Sequence, residues 1–145
     1  MDKKIIASNR KARFEYFLYE KLEAGIALKG SEIKSIRSGQ VSIGEAYVQI
    51  IGNDAWLVNA HIAPYDPASR ENHDPKRNRR LLLKKKEIRD LCQGIKTKGM
   101  TIVPVELYLS HGLAKIEIAL AKGKKLYDKR HEIAKKDIRR EILES

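Results

Sequence analysis

An alternating strand pattern that runs directly into a stretch of positive charge constrains this chain more than any other feature. Residues 114–121 (AKIEIALA) alternate polar and apolar side chains, with Ile116, Ile118 and Leu120 on the apolar side. This spacing is typical of a strand with one buried face. Residues 122–130 (KGKKLYDKR) follow at once and bring five cations against one acid. The pattern predicts a folded β body that ends in a cationic tail suited to a long anionic partner.

The composition supports a polyanionic partner. The chain has 145 residues with 30 Lys and Arg against 19 Asp and Glu, a net charge of +11 and a pI near 9.8. Phosphate backbones bind such surfaces by charge neutralisation and counterion release. No apolar run reaches the roughly 18–20 residues that span a bilayer, and the N-terminus lacks a signal-peptide core. We expect a soluble, cytoplasmic protein with no membrane association, in which the single Cys92 packs in the core.

Most of the body is predicted to be strand. Besides residues 114–121, the segments with strand character are 14–28, 41–51, 55–62 and 101–109. We expect a bend or bulge at residues 23–25, because Gly25 relieves the backbone there. Hairpin turns are predicted at residues 52–54 and 110–112. Pro104 indicates an edge or a bulge within its strand.

Two short helices complete the prediction. Ser31 is a candidate N-cap for a helix that Gly39 would end. Residues 84–95 repeat apolar side chains at i, i+3, i+4 and i+7 and predict an amphipathic helix that ends near residues 94–99. Five or six short strands with two helices indicate a mainly β protein. The simplest architecture is an oligonucleotide-binding-type closed antiparallel β-barrel with a basic C-terminal tail.

Residues 63–80 (APYDPASRENHDPKRNRR) are predicted to form a long surface loop. They contain three of the four prolines and few aliphatic side chains, and residues 66–80 are expected to be mobile in the free protein. On this interpretation, neutralising Lys76, Arg77 and Arg79 would weaken binding of an anionic partner and leave thermal stability nearly unchanged.

The same loop carries the best candidates for a metal site. They are His61, Asp66, Glu71, His73 and Asp74. None shows the tight spacing of an HExxH or CxxC pair, and the neighbouring cations would repel a metal ion. A metal-dependent nuclease is therefore the weaker alternative, and we expect no enzyme activity, no metal and no cofactor.

Two basic stretches are stronger candidates for binding nucleic acid. Residues 76–89 hold eight Lys or Arg and one acid, and residues 9–13 (NRKAR) precede Phe14 and Tyr16. Cations interleaved with aromatic rings clamp a backbone and stack on bases. The alternatives are a solvated helix face for the first stretch and core packing for the two aromatic rings.

Several segments together resemble one known family. They are NRKARFEYF (9–17), EAGIALKGSEIKSIRSG (23–39), NAHIAPY (59–65), HDPKRNRRLLLKKKEI (73–88), KGMTIVPVELY (98–108) and AKIEIALAKGKKLYDKRHEI (114–133). In this order they are similar to the SsrA-binding protein family, small protein B. The resemblance implies a bacterial partner of transfer-messenger RNA in trans-translation, the rescue of stalled ribosomes. It also implies an oligonucleotide-binding-type barrel (OB-fold) without catalytic activity.

The resemblance assigns an RNA-binding face to this chain. The residues implied are Asn9, Arg10, Lys11, Arg13, Glu23, Gly25, Leu82, Lys84, Lys115, Gly123, Lys124 and Lys125. A carboxylate such as Glu23 accepts hydrogen bonds from base or 2′-OH donors, so it adds shape selectivity to a cationic surface. The implied target is the tRNA-like domain with its D-loop elbow.

The resemblance also divides the chain into residues 1–125, the RNA-binding barrel domain, and residues 126–145, the tail. The tail is expected to be disordered when free and helical on the ribosome. There it would probe the decoding centre and the empty mRNA channel through Tyr127, Asp128, Lys129, Arg130, Lys135, Lys136, Arg139 and Arg140. The expected working form is a monomer acting with elongation factor Tu on aminoacylated transfer-messenger RNA. A ribosomal or rRNA-binding structural protein is the alternative.

Overall fold

The computed structural model describes residues 3–65 and 73–124, and within these residues the protein is mainly β. The strands are β1 (Lys4–Ser8), β2 (Tyr16–Ile26), β3 (Val41–Ser42), β4 (Tyr47–Ile51), β5 (Asp54–Val58), β6 (His61–Ile62), β7 (Arg79–Leu82), β8 (Thr101–Ser110) and β9 (Leu113–Gly123). The helices are α1 (Arg10–Glu15), α2 (Gly30–Arg37) and α3 (Lys85–Lys98). The predicted class, mainly β with short helices, is confirmed. None of these helices has the length and apolar character needed to span a bilayer.

Seven strands form one antiparallel sheet in the order β1-β8-β4-β5-β7-β2-β9. Strand β9 also pairs with β8 over most of its length. The strand pairings from β8 through β4, β5, β7, β2 and β9 therefore lead back to β8. The short strands β3 and β6 pair with each other in a separate two-stranded sheet.

Both predicted hairpins are present. Ile51 pairs with Asp54 across a turn in which Gly52 has φ of 62°. Ser110 pairs with Leu113 across His111 and Gly112, both of which have positive φ. Positive φ at the central residues matches the twist of a two-residue hairpin. The predicted irregularity at Pro104 is also confirmed, because the β8–β9 register shifts between Pro104 and Glu106.

A main core lies between the sheet and the helices, and a smaller cluster of Ala12, Val103 and Ala121 lies beside α1. Alternate residues of the central strands, such as Ile102 and Ile116, are fully buried, and Ile36 of α2 and Leu91 of α3 join the main core. Helix α3 has the predicted amphipathic pattern and ends at Gly99, which adopts the left-handed conformation. Cys92, which was expected to pack in the core, is partly buried on this helix.

The N-terminal region differs from the prediction because tertiary contacts reorganise it. Strand β1 was not predicted, and Phe14 lies in α1 rather than in a strand. Asn9 begins α1, since its side-chain oxygen accepts the Ala12 N–H at 3.0 Å. The predicted bulge at residues 23–25 is instead regular pairing, and the irregularity in β2 lies between Leu18 and Lys21.

Two predicted strands are each divided in the structure. Residues 41–51 form β3 and β4, and residues 55–62 form β5 and β6. Asn59, with φ of 64°, lies in the break between β5 and β6. The division lets β4 and β5 pair in the large sheet while β3 and β6 pair separately.

The predicted surface loop is partly a packed element, so that prediction was wrong. Arg79 is fully buried at the start of β7, and its Nε donates to Glu32 Oε2 at 2.7 Å. Arg77 donates to the other Glu32 oxygen at 2.5 Å. The prediction that neutralising Arg77 and Arg79 leaves stability unchanged fails for the same reason: Glu32, which is also fully buried, would lose the cations that compensate its charge.

His73 joins this buried network. Its Nε2 donates to the Ile62 carbonyl at 2.8 Å, and its Nδ1 forms a hydrogen bond with the Ser31 hydroxyl at 2.8 Å. Ser31 is therefore not the helix cap that its position suggested. The Glu32 carboxylate caps α2 instead, since it accepts the Lys29 N–H at 2.8 Å.

The basic segment after β9 begins later than its charge suggested. Lys122 and Gly123 still belong to β9, and the Lys124 N–H donates to the Glu15 carbonyl at 2.8 Å. Lys125, and all the predicted tail residues from Tyr127 to Arg140, lie outside the described residues.

Candidate nucleic-acid interface

The predicted RNA-binding residues within the described part of the chain fall at the two ends of the β2–β9 pair. Gly25 pairs with Lys115 at one end, and Tyr16 pairs with Gly123 at the other. Gly123 lies eight positions after Lys115 in β9, which corresponds to roughly 26 Å along an extended strand. The structure therefore brings the predicted residues together as two groups.

The first group, the Leu82 cluster, consists of Glu23, Gly25, Leu82, Lys84 and Lys115. Strand β7 pairs with β2 so that Leu82 lies opposite Gly25, and β9 places Lys115 on the other side of Gly25. Lys84 follows directly as the residue that precedes α3, and its backbone N–H donates to Glu87 at 2.9 Å. Glu23, Leu82 and Lys84 border one depression of about 480 Å³.

Glu23 is held in place from two sides. Its Oε2 accepts the Tyr108 hydroxyl, and its Oε1 lies 3.1 Å from the Lys115 ammonium. The hydrogen bond from Tyr108, followed by that from Lys115, holds the pKa of this carboxyl below its usual range. Glu23 is therefore ionised at neutral pH, and its exposed, oriented oxygens can accept hydrogen bonds from amino or hydroxyl groups.

Tyr108 is a residue that the sequence interpretation missed. Its side chain is buried on β8, and burial, then the bond to Glu23, raises the pKa of its phenol. The Lys3 ammonium lies 4.4 Å from the ring centroid. Tyr108 alternates with the apolar Leu107 and Leu109, so the period of two could have placed it on the outer face of β8. Its hydrogen bond to Glu23, which reaches across the intervening strand β9, is a tertiary contact that no local pattern indicates.

Gly25 makes room for Leu82. A Cβ atom built on Gly25 would lie 3.3 Å from the Leu82 Cβ and Cδ1 atoms. Leu82 is nevertheless 55% exposed. The pair thus presents an apolar side chain to solvent beside an ionised carboxylate and two ammonium groups, and such a surface can contact the face of a base or a ribose.

The second group, the α1 cluster, consists of Arg10, Lys11, Arg13, Gly123 and Lys124. Arg10, Lys11 and Arg13 are exposed on α1. Lys11 pairs with Glu45 at 2.8 Å, and this hydrogen bond raises the pKa of the Lys11 ammonium. Arg13 pairs with Glu106 at 2.8 Å.

An aromatic ring accompanies the cations of the α1 cluster. The Lys124 ammonium lies 5.1 Å from the centroid of Phe17, which is 40% exposed. Gly123 lies opposite Tyr16, and the nearest side-chain atom to a Cβ built there is Tyr16 Cε1 at 4.0 Å. This arrangement combines positive charge with an accessible ring, as expected of a surface that binds a nucleic-acid backbone and its bases.

Asn9 takes a structural position. It is buried, its Oδ1 accepts the Ala12 N–H, and its Nδ2 donates to the Pro104 carbonyl at 2.9 Å. These bonds occupy the amide and fix the start of α1 against β8. Asn9 therefore positions the exposed cations of α1.

The outer face of β2, β9 and β8 carries a row of three carboxylates, in which the predicted Glu23 is joined by two residues that the sequence interpretation missed, Glu117 and Glu106. Glu117 pairs with Glu23 on one side and with Glu106 on the other. Each carboxylate has a cation within 4 Å: Lys115 for Glu23, Lys21 for Glu117, and Arg13 and Lys3 for Glu106. The charges on this face are thus largely balanced, because a cation offsets each carboxylate.

The residues considered for a metal site do not form one where the structure describes them. In residues 3–65 and 73–124, no group of three or more potential ligands could hold a metal ion. Both ring nitrogens of His73 are occupied by Ser31 and Ile62. Asp66 and Glu71 lie outside the described residues.

Comparison with known proteins gives a consistent result. The family model described as "SmpB protein" matches residues 6–145. An SsrA-binding protein of Geotalea uraniireducens is 51% identical over 98% of this chain and 94% of its own length. One of Carboxydothermus hydrogenoformans is 54% identical over 96% of this chain and 93% of its own length. A chain of the solved structure "tmRNA-SmpB: a journey to the center of the bacterial ribosome" is 42% identical, with a TM-score of 0.70, over 87% of this chain and 92% of that chain.

Proposed function

Because the chain belongs to the SmpB protein family, we propose that it binds the tRNA-like domain of transfer-messenger RNA and delivers it to stalled ribosomes for trans-translation. One observation carries this proposal at the level of the site. Tyr108 and Lys115 hold the ionised Glu23 beside the exposed Leu82, within a strongly basic protein.

Recognition would combine charge with shape. The exposed cations of the Leu82 and α1 clusters neutralise phosphates, which provides affinity without selectivity. Leu82 contacts a base or ribose face, and Glu23 accepts hydrogen bonds from base or 2′-OH donors. If an RNA helix has the wrong shape, one of its phosphates faces Glu23. The repulsion between these two negative charges disfavours binding of that RNA.

The two clusters would contact separate segments of one RNA. They lie roughly 26 Å apart along β9, which exceeds the width of a single groove. In a folded RNA with an elbow, two segments at such a distance can lie in different directions. In a straight duplex, two segments at this distance lie along the same helix axis. We infer that this spacing contributes to selection of the tRNA-like fold.

We further propose that the strand pairings that return from β9 to β8 close an oligonucleotide-binding-type barrel. The body, residues 1–125, would act as a monomer, without a cofactor and without catalysis, in the cytoplasm. It would work with elongation factor Tu on aminoacylated transfer-messenger RNA. Residues 126–145 would form the part that engages the ribosome.

The tail would act after the body has bound RNA. Tyr127, Asp128, Lys129 and Arg130 would enter the decoding centre. The basic residues Lys135, Lys136, Arg139 and Arg140 would follow the empty mRNA channel, where their charge complements the phosphates of ribosomal RNA.

A competition experiment tests the proposed function. Labelled tRNA-like domain is bound to the full-length protein and displaced with unlabelled tRNA-like domain or with bulk tRNA, at one fixed salt concentration because phosphate binding depends steeply on salt. We expect the tRNA-like domain to compete at much lower concentration than bulk tRNA. Equal competition by both RNAs would instead indicate an rRNA-binding structural protein and would contradict the proposal.

A further inference from the structure

We propose that the outward face of β4, β5 and β7 binds an unpaired nucleotide of RNA, with Trp56 stacking on the base and Arg80 contacting its phosphate. This inference extends the proposed function and rests on it. The face, called here the Trp56 face, consists of Tyr47, Gln49, Trp56, Arg80 and the flanking Asp54.

Strand register places these side chains together. Gln49 pairs with Trp56, and Trp56 pairs with Arg80, so the three residues form one row across β4, β5 and β7. The neighbours of Trp56 along β5, Ala55 and Leu57, are fully buried. Because side chains alternate along a strand, Trp56 points outward, away from the core.

The single tryptophan of the chain therefore contributes to the surface, although tryptophan carries the largest apolar area of any side chain. It is partly exposed, and Tyr47 near it is 44% exposed. Aromatic rings on an outward sheet face provide stacking surfaces for bases of any sequence.

The Trp56 face differs in charge from the outer face of β2, β9 and β8. The latter carries three carboxylates, each beside a cation. The Trp56 face carries one carboxylate, Asp54, whose Oδ1 lies 3.0 Å from Arg80 Nη2. Both partners of this ion pair are solvent-exposed, and such pairs contribute little to stability. A phosphate can therefore displace Asp54 from Arg80 at small cost.

The Trp56 face is continuous with the Leu82 cluster. Arg80 and Asp54 border the same depression as Glu23, Leu82 and Lys84. An RNA strand that leaves this depression toward β5 meets Arg80 and then Trp56. The occupant must be unpaired, since a base within a duplex is already stacked on both faces and cannot reach the indole. Charge complementarity favours nucleic acid over a protein, because the whole chain carries a net charge of +11.

Intrinsic fluorescence of the full-length protein tests the inference, because Trp56 is the only tryptophan. The probes are an oligouridylate of about ten nucleotides, within the site sizes usual for single strands, and a duplex RNA of equal length. We expect the single strand to quench Trp56 and to protect it from acrylamide, and the duplex at equal phosphate concentration to do neither. Equal effects of the two probes, or no effect of either, would overturn the inference, as would quenching on concentrating the protein alone, which would indicate a second copy on this face.

Substitutions give a second readout. Trp56→Leu should weaken binding of the single strand by roughly 5- to 100-fold, the range for loss of one stacking contact, while Trp56→Phe retains most of it. Tyr65→Leu, an exposed aromatic outside this face, serves as the matched control. Unchanged affinity of Trp56→Leu would contradict the inference, and the acrylamide experiment on the unmodified protein decides the matter if that variant does not fold.

These outcomes are distinguishable from failure of the proposed function. That failure appears as equal competition by the tRNA-like domain and bulk tRNA. The Trp56 face is measured separately, with the oligouridylate and the duplex.

Discussion

Arg79 and Glu32 form a salt bridge that is sealed from solvent: Arg79 Nε lies 2.7 Å from Glu32 Oε2, and both side chains have no accessible surface. The pair joins β7 to the first turn of α2. Arg79 also donates to the Ala60 carbonyl at 2.8 Å, and Arg77 covers the other Glu32 oxygen. The buried charges are thus fully paired. Removal of Glu32 leaves the buried Arg79 without a counter-charge, and removal of Arg79 leaves Glu32 with the partly exposed Arg77 as its one cationic partner.

Replacement of Arg79 should therefore destabilise the protein strongly. We expect Arg79→Leu to lower the free energy of unfolding by about 3–5 kcal/mol, the usual cost of breaking a buried pair from one side. Lys76→Gln, an exposed cation three residues earlier, should change it by less than about 0.5 kcal/mol. Urea unfolding followed by circular dichroism measures both, and similar values for the two variants would contradict the structural role of Arg79.

Because Glu32 belongs to this network, we expect the free energy of unfolding to decrease at acidic pH. Burial raises the pKa of Glu32, but the hydrogen bonds from Arg77, the Lys29 N–H and Arg79 outweigh it, so the folded pKa lies below the ordinary value of 4.5. A carboxyl with a lowered folded pKa stabilises the protein above its unfolded pKa and loses that contribution as the pH falls through the folded pKa. The Glu32 contribution should therefore be complete near neutrality and decline below about pH 4.5.

Arg77→Gln tests this pH dependence, because it removes a guanidinium that donates to both Glu32 oxygens and so raises the folded pKa of Glu32. We expect its acid unfolding midpoint to shift to higher pH relative to the unmodified protein, while the adjacent Lys76→Gln leaves the midpoint in place. Unfolding at a series of pH values between about 2 and 7 checks the shift. An unchanged midpoint for Arg77→Gln would show that Arg79 and the Lys29 N–H alone maintain the ionised carboxylate.

Glu23 and Glu117 provide a matched pair for RNA recognition, since they lie opposite each other on the same face. Glu23→Ala should weaken binding of the tRNA-like domain by about 1.5–3 kcal/mol, the value of a hydrogen bond to a charged group, and weaken bulk RNA less. Glu117→Ala should leave both RNAs nearly unaffected. Gel-shift titrations with the two RNAs provide the comparison, and an equal loss for both RNAs in Glu23→Ala would contradict the assignment.

Gly25 is predicted to affect RNA binding because its lack of a side chain leaves room for Leu82. Gly25→Val should displace Leu82, because even a Cβ atom at this position lies only 3.3 Å from it. We expect weaker binding of the tRNA-like domain by about 1 kcal/mol, roughly fivefold, without loss of thermal stability, since valine favours strands. A fall in melting temperature together with lost binding would point to a disrupted β2–β7 pairing instead.

The tail should be separable from the body. Deletion of residues 127–145 should leave most of the affinity for the tRNA-like domain and abolish tagging of peptides on stalled ribosomes. Simultaneous replacement of Asp128, Lys129 and Arg130 by alanine should lose most tagging as well. RNA binding and a reconstituted tagging reaction measure the two functions in parallel. Retained tagging after the deletion would place the ribosome-engaging segment elsewhere in the chain.

The periodic segments were predictable because their signals are local. The β8–β9 hairpin, its irregularity near Pro104 and the amphipathic α3 follow from side-chain alternation, turn residues and helical spacing. The resemblance to the family also identified Glu23, Leu82 and Lys84. In the structure these three residues border one depression. By contrast, α1 was missed although Asn9 caps it locally, because the bond from Asn9 to the distant Pro104 that fixes this short helix against β8 has no local signal.

Three properties followed from the residues alone: the alternating strands such as β8 and β9, the strongly basic character of the chain, and the family to which it is similar. Which of the cations remain exposed to solvent depends on contacts between distant parts of the chain. In residues 76–80 the cations look equivalent in sequence, yet Arg79 is buried against Glu32, Arg77 covers the same carboxylate, and Lys76 and Arg80 are exposed. Arg79 can be buried because its partner Glu32 lies 47 residues away in the chain but beside it in the fold, and neither composition nor local pattern contains information on that contact.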